Sequence, residues 1–333
     1  MPLRPHQNDA LDAMANHTKG QIIVPTGGGK TMCMIDDAKR LFNTQEVSTI
    51  VVVAPRILLA EQLCSEFLET GEFNDVRVMH VHSGETEHFS STKVDDIRYH
   101  NFLCYESNQL IFTTYHSLHR VQESNIVVDT VYFDEAHNSV NRNFFPSTKF
   151  FGTGGASRCF FFTATPKHSL TQFKAGMNDR EVYGDVIINV PAPKLVDEGY
   201  ILPPKVEVYK SRLLRKDEIY SEVESEHMIG AIDRLEVDKV LICAKSTKQI
   251  IGLLSQSDFC YELNVRGYSW MTITSRTGAI INGKKVGRDE FFKTLNAWGK
   301  DDEKKFVVLH HSILSEGINV KGLEAALFMR NMD

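Results

Sequence analysis

The sequence lacks long hydrophobic runs. No window approaches the ~18 consecutive apolar residues that a membrane-spanning helix needs. The first residues, Met1–Pro5, are no signal peptide, and the chain contains neither a short-period repeat nor a low-complexity tract. These absences predict an intracellular protein, in the cytoplasm or the nucleoid, with no membrane partner.

The six cysteines include no C-x-x-C pair, and most of them lie within apolar runs. We therefore expect reduced thiols in the core rather than disulfides or a zinc site. Two histidine pairs, His80 with His82 and His310 with His311, have no further cysteine or carboxylate at metal-ligand spacing. Alternation along a strand would point His80 and His82 to one face, but ordinary strand-end histidines are the simpler interpretation.

The net charge of the chain is negative, which does not favour binding of a polyanion. Its 37 lysines and arginines are outnumbered by 43 acidic residues, which gives a net charge of −6. This balance argues against a protein that coats nucleic acid by bulk positive potential, although a local groove can still hold phosphates. With 333 residues, of which 42% are hydrophobic, the chain suits a globular protein of two domains of about 150 residues each.

Short β-branched or aromatic runs alternate with helical patterns, which predicts a parallel α/β sheet with helices on both faces. One helix is indicated by apolar residues at steps of three and four between Ile57 and Leu68. The predicted strands of the first half are Gln21–Val24, Thr49–Ala54, Val76–His82, Leu110–Thr114, Thr130–Phe133 and Arg158–Thr163. The polar stretch Glu85–Asp96 is expected to be a surface loop.

Five prolines and glycines between Val190 and Pro204 predict an irregular segment and a domain boundary. We therefore expect a first domain at 1–190, a linker at 191–204 and a second domain at 205–333. The second domain should contain strands at Val206–Tyr209, Val240–Ala244, Met271–Thr274 and Phe306–His310, with helices at Ser246–Ser255 and Arg288–Trp298.

A glycine-rich turn follows the first predicted strand: Thr26, Gly27, Gly28, Gly29, Lys30 and Thr31. The last three residues match the end of the phosphate-loop pattern G-x-x-x-x-G-K-S/T, while Val24 stands where the first glycine belongs. Glycine amides and a helix N-terminus can hold phosphates, Lys30 can neutralise them, and Thr31 can contact Mg²⁺. An ordinary strand-to-helix turn with an exposed lysine is the alternative.

A second chemical element follows the strand Thr130–Phe133, where the sequence continues Asp134-Glu135-Ala136-His137. Carboxylates at the end of a strand lie where α/β folds bind ligands. Asp134 can hold Mg²⁺, and Glu135 can orient or deprotonate an attacking water. An acidic turn that caps the next helix is the alternative interpretation.

With these motifs the chain resembles the superfamily 2 helicases of the DEAH/DEAD type. Pro25–Thr31 is similar to their motif I, which also lacks the leading glycine, Thr113–Tyr115 to motif Ib and Thr163–Pro166 to motif III. Ala54–Arg56 resembles motif Ia, and Asp134–His137 motif II. The resemblance implies two RecA-like parallel-sheet domains of the phosphate-loop NTPase class, the second of them incomplete, and it implies ATP and Mg²⁺ as cofactors.

The resemblance also implies residue roles. Gln7 would read adenine; Pro55, Arg56 and Thr114 would contact nucleic acid; Thr163 and Thr165 would couple the ATP state to domain movement; and His137 would link the nucleotide site to other motifs. Strand termination by Pro55, capping by Thr114 and bonding of nearby backbone by the threonines are the plain alternatives. A buried neutral histidine would look identical in sequence to the linking one.

The second half resembles the family less closely. Val240–Ser246 is similar to motif IV, with Ser246 as a nucleic-acid contact, and Leu314–Val320 to motif V, with Gly317 and Asn319 at the nucleotide. Asn319 stands where many relatives have aspartate, so it can accept a hydrogen bond but carries no charge. Motif VI, which supplies arginines to the phosphates, has no counterpart before Asp333. A truncated chain, or an additional subunit that supplies the arginines, would account for this.

These features predict an ATP-dependent helicase or translocase that acts on nucleic acid, with DNA preferred over RNA. Among superfamily 2 branches, Leu3–Gln7 and the Gly199–Pro204 passage look most like the group of restriction-enzyme motor subunits and of phage and repair helicases. Two alternatives stay open: the motor part of a restriction endonuclease, and a nucleotide-gated module that binds nucleic acid with little turnover.

Overall fold

The computed structural model describes residues 3–44, 47–84, 86–171, 173–203, 205–208, 218–274, 276–311 and 322–329. The chain divides into two compact units, Met1–Lys205 (unit 1) and Val206–Asp333 (unit 2). No helix among the described residues is long and apolar enough to cross a membrane. All six cysteines are free, and Cys33, Cys64 and Cys159 are buried as expected of core thiols.

Unit 1 is built from alternating strands and helices. Its strands are β1 (Lys19–Ile23), β2 (Thr49–Ala54), β3 (Arg77–Val81), β4 (Phe89–Ser90), β5 (Gln109–Thr114), β6 (Thr130–Phe133), β7 (Arg158–Thr163) and β8 (Val186–Asn189). Its helices are α1 (Pro5–Ala15), α2 (Lys30–Thr44), α3 (Ile57–Glu69), α4 (Val94–Leu103), α5 (Leu118–Glu123), α6 (Phe145–Phe150), α7 (Arg180–Tyr183) and α8 (Ala192–Asp197).

The eight strands form one parallel sheet in the order β4-β3-β5-β2-β6-β7-β1-β8. Alternate residues of its central strands enter two different hydrophobic clusters: Val52 packs with α1, α2 and α3, whereas Val51 packs with α5 on the other face. The strands are apolar on both faces because both are covered by helices. The sequence prediction of a doubly covered parallel sheet is confirmed, as is the buried stripe of α3.

Three local predictions were wrong. The expected loop Glu85–Asp96 contains the short strand β4 and the start of α4, which places Phe89 beside Met79 in the sheet. Helix α8 lies inside the expected irregular linker, because Pro193 occupies its first turn, where a missing N–H costs nothing, and Leu195 is buried in the core. Residues 205–208 form no strand, and Tyr209 lies outside the described residues.

Unit 2 has a second sheet. Its helices are α9 (Tyr220–Leu235), α10 (Thr247–Ser255), α11 (Phe259–Val265) and α12 (Arg288–Lys300). Its strands are β9 (Lys239–Ala244), β10 (Ser269–Thr274), β11 (Gly278–Ile281), β12 (Lys284–Val286), β13 (Phe306–His310) and β14 (Ala325–Met329), in the order β12-β11-β10-β13-β9-β14. β9, β10, β13 and β14 are parallel, whereas β11 and β12 form an antiparallel hairpin at one edge.

Candidate nucleotide-binding site

The predicted motifs of unit 1 follow the carboxyl ends of neighbouring parallel strands. β1 precedes the glycine-rich loop, β7 ends at Thr163, and β6 ends beside Asp134. Because β1 pairs with β7 and β7 pairs with β6, all three endings meet at one edge of the sheet. This is the edge at which open α/β sheets bind ligands.

The glycine-rich loop has the conformation that its glycines allow. Gly27 and Gly29 have φ angles of 79° and 86°, which side chains with a Cβ rarely adopt. A Cβ added to Gly28 would lie 2.5 Å from Val24 Cγ1 and 2.9 Å from the Pro25 carbonyl oxygen, so the loop has no room for one. Lys30 begins α2 immediately afterwards, which leaves the amides of the first helical turn at the loop.

Two side chains of α1, and that of Arg4 immediately before it, form hydrogen bonds with the backbone of this loop. Arg4 donates to the Gly27 carbonyl at 3.0 Å, His6 Nε2 lies 2.7 Å from the Gly28 carbonyl, and Gln7 Nε2 donates to the Gly29 carbonyl at 3.3 Å. Gln7 Oε1 also accepts from the Arg4 amide at 2.8 Å. Gln7 is buried, so the residue predicted to read adenine is also a support of the phosphate loop.

The lysine of the loop faces the acidic motif. Lys30 Nζ lies 3.3 Å from Glu135 Oε1, and both side chains are largely buried, with exposed fractions of 9% and 17%. Two charges held together away from water attract each other more strongly than a surface pair does. The predicted triphosphate-binding lysine and the predicted water-activating carboxylate are therefore in direct contact.

Asp134 is a buried carboxyl at the end of β6. Burial raises its pKa to about 7, with Glu135 adding to the rise and Lys30 opposing it. Such a carboxyl favours the arrival of a cation, which would restore its charged form. Its backbone carbonyl accepts from the Tyr115 hydroxyl at 2.8 Å, and Glu135 follows with a left-handed φ of 45°, which turns the chain sharply at this point.

His137 links the acidic motif to the end of β7. Its Nδ1 lies 3.0 Å from Thr163 Oγ1 and 3.5 Å from Glu135 Oε2. Thr163 Oγ1 in turn accepts from the Thr165 amide at 3.1 Å. A continuous chain of contacts thus runs from Lys30 through Glu135, His137 and Thr163 to Thr165.

The predicted nucleic-acid contacts of unit 1 lie further along the same edge. Ala54 at the end of β2 pairs with Thr114 at the end of β5, so Pro55 and Arg56 follow β2 next to Thr114. Thr114 and Pro55 are buried, whereas Arg56 is half-buried. The structure brings these three residues together, beside the nucleotide motifs on β6, because β2 is the neighbour of β6.

In unit 2, Ser246 is the N-cap of α10, where its hydroxyl accepts from the Gln249 amide at 3.2 Å. Capping is therefore a role that the structure gives it directly. Gly317 and Asn319 of the predicted motif V lie outside the described residues, as does Arg330 near the position at which motif VI was expected.

The histidine pair at the end of β3, His80 within the strand and His82 just after it, is buried. His80 Nδ1 lies 3.0 Å from His82 Nε2, and His82 Nδ1 accepts from the Gly84 amide at 3.1 Å. Burial, with His82 and His88 nearby, lowers the pKa of His80 to about 3. Among the described residues, no group of three or more histidine, cysteine or acidic side chains is arranged to hold a metal ion.

Sequence reasoning missed two sets of residues at the site. Arg4 and His6 were quoted only as neighbours of Gln7, although both bond the loop. The buried network of Asp37, Tyr132 and Arg158 was not found, because its members lie up to 121 residues apart in the chain. A lone aspartate on the core face of α2 was the one signal that could have indicated it.

The fold and the site define a superfamily 2 helicase domain. The sequence profile of one family, described as "Type III restriction enzyme, res subunit", matches residues 1–168. The chain belongs to this family. A search among curated proteins finds no significant match.

Solved structures show the same fold at low sequence identity. The ATP-dependent Type ISP restriction-modification enzyme LlaBIII bound to DNA is 17% identical with a TM-score of 0.69, over 98% of this chain and 26% of that one. S. cerevisiae Dbp5 L327V bound to RNA and ADP BeF3 is 14% identical with a TM-score of 0.56, over 96% and 73%. The Pyrococcus furiosus Hef helicase domain is 11% identical with a TM-score of 0.55, over 97% and 89%. This chain spans about a quarter of the restriction-modification enzyme.

Proposed function

We propose that this chain is an ATP-driven motor that moves along nucleic acid, with DNA as the preferred polymer. The observation that carries the proposal is the 3.3 Å contact of Lys30 with Glu135 above a glycine loop that has no room for side chains. An ordinary strand-to-helix turn would leave its lysine in solvent. Here the lysine is buried against a carboxylate at the ligand-binding edge of the sheet.

The residues fit a magnesium nucleotide. The amides of Gly27–Gly29 and of the first turn of α2 would hold the phosphates, with Lys30 as their counter-charge. Thr31 and the buried carboxyl of Asp134 would hold Mg²⁺, which supplies charge neutralisation at the phosphates. Gln7, whose side chain donates to the Gly29 carbonyl, would contact the adenine. We also propose Gly317 and Asn319 as nucleotide contacts; both lie outside the described residues.

Two residues of the acidic motif, Glu135 and His137, would take part in hydrolysis and in its coupling to movement. Glu135 would orient a water towards the terminal phosphate and accept its proton. Its contact with Lys30 would loosen when phosphates arrive, because the lysine then has a stronger anionic partner. His137 would transmit that change to Thr163 and Thr165 through the contact at 3.0 Å. Catalysis of this kind is positioning and charge stabilisation rather than covalent chemistry.

Nucleic acid would bind beside the nucleotide. Pro55, Arg56 and Thr114 lie at the ends of β2 and β5, next to β6, so loops at one sheet edge would hold both ligands. Ser246 in unit 2 is proposed as a further nucleic-acid contact. The similar structures include an enzyme described as bound to DNA and a protein described as bound to RNA. The family match supports DNA, since restriction enzymes act on DNA.

The deciding experiment measures ATP hydrolysis by the full chain without nucleic acid and with single-stranded DNA, duplex DNA or RNA. We expect hydrolysis that DNA stimulates and that Lys30→Ala and Glu135→Gln abolish, with a loss of about 10²-fold or more because charge stabilisation at the phosphates is removed. Lys39→Ala and Glu72→Gln are matched controls, since these residues pair at 3.0 Å away from the loop.

The outcomes separate the alternatives. Stimulated hydrolysis that needs Lys30 and Glu135 supports a motor. ATP binding without stimulated hydrolysis indicates instead a module that clamps nucleic acid with little turnover. Equal activity of Lys30→Ala and Lys39→Ala would show that the glycine loop is structural only.

The family match favours one second candidate, the motor part of a restriction enzyme. Such a motor would move along duplex DNA for a nuclease located elsewhere, because the sequence contains no P-D followed by a D/E-x-K triad. ATP-dependent displacement of a third strand from a triplex, without separation of the duplex strands, would support it. Release of a single strand from a forked duplex would indicate a helicase.

A further inference from the structure

The antiparallel hairpin of unit 2 is unusually basic for this acidic protein. Residues 276–288 contain Arg276, Lys284, Lys285 and Arg288 and no aspartate or glutamate, whereas the whole chain has a net charge of −6. Arg276, Lys284 and Lys285 are exposed. The hairpin is therefore a local concentration of positive charge of the kind that holds polyanions.

The hairpin is held in one defined geometry. Asn282 and Gly283 connect β11 to β12 with φ angles of 45° and 82°, the two left-handed positions of a tight two-residue turn. Asn282 also exchanges two hydrogen bonds with Trp270: its amide donates to the Trp270 carbonyl at 2.9 Å, and its Oδ1 accepts from the Trp270 amide at 2.8 Å. The basic side chains thus project from a supported strand pair rather than from a free loop.

Two of the basic residues are directed to the carboxyl edge of the sheet. Arg276 lies in the turn that follows β10, and Lys285 Cε lies 3.6 Å from the position that a Cβ on Gly278 would take. Gly278 pairs with Thr274, the last residue of β10. β9, which precedes Ser246, and β10 are both parallel to β13, so Arg276 and Lys285 lie at the same edge as Ser246.

The positive charges of Arg276, Lys284 and Lys285 are not paired with any acidic side chain that the structure describes in unit 2. Arg266 and Lys305 form salt bridges in unit 2, whereas Arg276, Lys284 and Lys285 form none with the residues that the structure describes. Arg288 differs from these three, since its guanidinium packs over the Phe292 ring. Lysines on an edge strand can also serve only to prevent sheet-to-sheet aggregation. That explanation covers β12, but it does not account for Arg276, which lies outside any strand.

We propose that Arg276 and Lys285 bind the backbone phosphates of the nucleic acid, independently of base sequence. The inference rests on the proposed function and adds a contact surface outside the motif residues. Because each cation that neutralises a phosphate releases condensed counterions, these contacts should appear in the salt dependence of binding.

The test measures nucleic-acid affinity of the full chain, without ATP, against salt concentration. The double variant Arg276→Ala/Lys285→Ala should lower the slope of log affinity against log salt by about 1.8 on duplex DNA and about 1.4 on a single strand. Between about 50 and 200 mM salt, the unsubstituted chain should then lose about 12-fold more duplex affinity than the variant. Single-stranded RNA in place of DNA tests the preference for DNA.

The control variant removes the same charge elsewhere: Lys149→Ala/Lys300→Ala, both exposed. Lys300 follows Gly299, whose carbonyl accepts from Lys239 at the start of β9, and is therefore at the opposite edge of the sheet. This control should keep the full slope. A second variant, Arg276→Lys/Lys285→Arg, keeps the charge and should also keep the slope, which separates loss of charge from misfolding.

Each result decides the proposal. Equal slopes for the hairpin variant and the control would overturn it, and self-association of the hairpin variant with an unchanged slope would assign Lys285 to edge protection. Absence of binding by the unsubstituted chain overturns both this inference and the proposed function. Normal binding of nucleic acid without ATP hydrolysis would contradict the proposed motor function but not the proposed hairpin contact.

Discussion

The guanidinium of Arg158 forms two hydrogen bonds with the carboxylate of Asp37, at 2.9 and 3.0 Å. Tyr132 adds its hydroxyl to the same carboxylate at 2.6 Å. The pair joins α2, which follows the phosphate loop, to β7, which ends in Thr163, and Tyr132 belongs to β6, which ends beside Asp134. One buried ion pair therefore fixes the three elements that carry the nucleotide motifs.

We predict that Arg158→Met destabilises the protein by about 3 kcal/mol, because it leaves the buried Asp37 carboxylate without its counter-charge and with the Tyr132 hydroxyl as its hydrogen-bond donor. The double variant Asp37→Leu/Arg158→Met should lose less than the sum of the single variants, since no lone charge remains. Urea unfolding measures both. Arg180→Met, which breaks an exposed pair with Asp185, is the control and should cost no more than about 1 kcal/mol. Additive losses would contradict this account.

A second prediction concerns the contact between His137 and Thr163. Thr163→Val keeps the shape of the side chain but removes the oxygen that contacts His137 Nδ1 and accepts from the Thr165 amide. We expect ATP affinity to change little and stimulation of hydrolysis by DNA to fall about 10-fold, the effect of one lost hydrogen bond in a coupled step. Thr148→Val, also buried but bonded within α6, is the control. A loss of ATP affinity with stimulation intact would argue for a local structural role.

A third prediction separates two roles of Gln7. The side-chain amide of Gln7 donates to the Gly29 carbonyl and accepts from the Arg4 backbone amide. Gln7 therefore supports the loop whether or not it contacts adenine. If it reads the base, Gln7→Ala should lower kcat/KM for ATP about 10-fold and that for GTP much less, because loop support is shared by both nucleotides. Steady-state kinetics with the two nucleotides gives the answer. Equal losses would assign Gln7 to the loop alone.

A fourth prediction follows from the buried histidines. The pKa of His80 is lowered to about 3, mainly by burial, with His82 and His88 adding to the effect. When the pH falls below 6.5, the ordinary pKa of histidine, His80 takes up a proton in the unfolded chain but stays neutral in the folded protein. Stability therefore decreases as the pH falls from 6.5 towards 3, by at most about 1.4 kcal/mol per pH unit from this residue.

The free energy of unfolding between pH 5 and 6.5 tests this, in steps of about half a unit. His80→Gln should flatten the pH dependence relative to the unsubstituted chain. The same substitution at exposed His17, which contacts the Ala13 carbonyl, controls for the loss of an imidazole. An unchanged slope in His80→Gln would mean that the pKa of His80 is not lowered in the folded protein.

Several features could be predicted from local sequence because they depend on neighbours in the chain. The strands Thr49–Ala54, Thr130–Phe133 and Arg158–Thr163 were predicted with the bounds that the structure has, since runs of β-branched and aromatic residues bury both faces. Helix α8 was missed because Pro193 was interpreted as a breaker, whereas in a first turn it is tolerated. The burial of Leu195, which stabilises that helix, depends on residues far away in sequence.

The amino-acid sequence by itself indicated the two motifs of the candidate site and the parallel α/β class. A strand followed by glycines and a lysine, and another followed by two carboxylates, are local patterns with one common structural solution. Only the tertiary structure decided how these pieces meet. The strand order puts β7 between β1 and β6, which brings His137 to Thr163 and Lys30 to Glu135, and it places Gln7 beneath Gly29. Strand order is set by the packing of helices on both faces of the sheet, which is a property of the whole unit rather than of any segment.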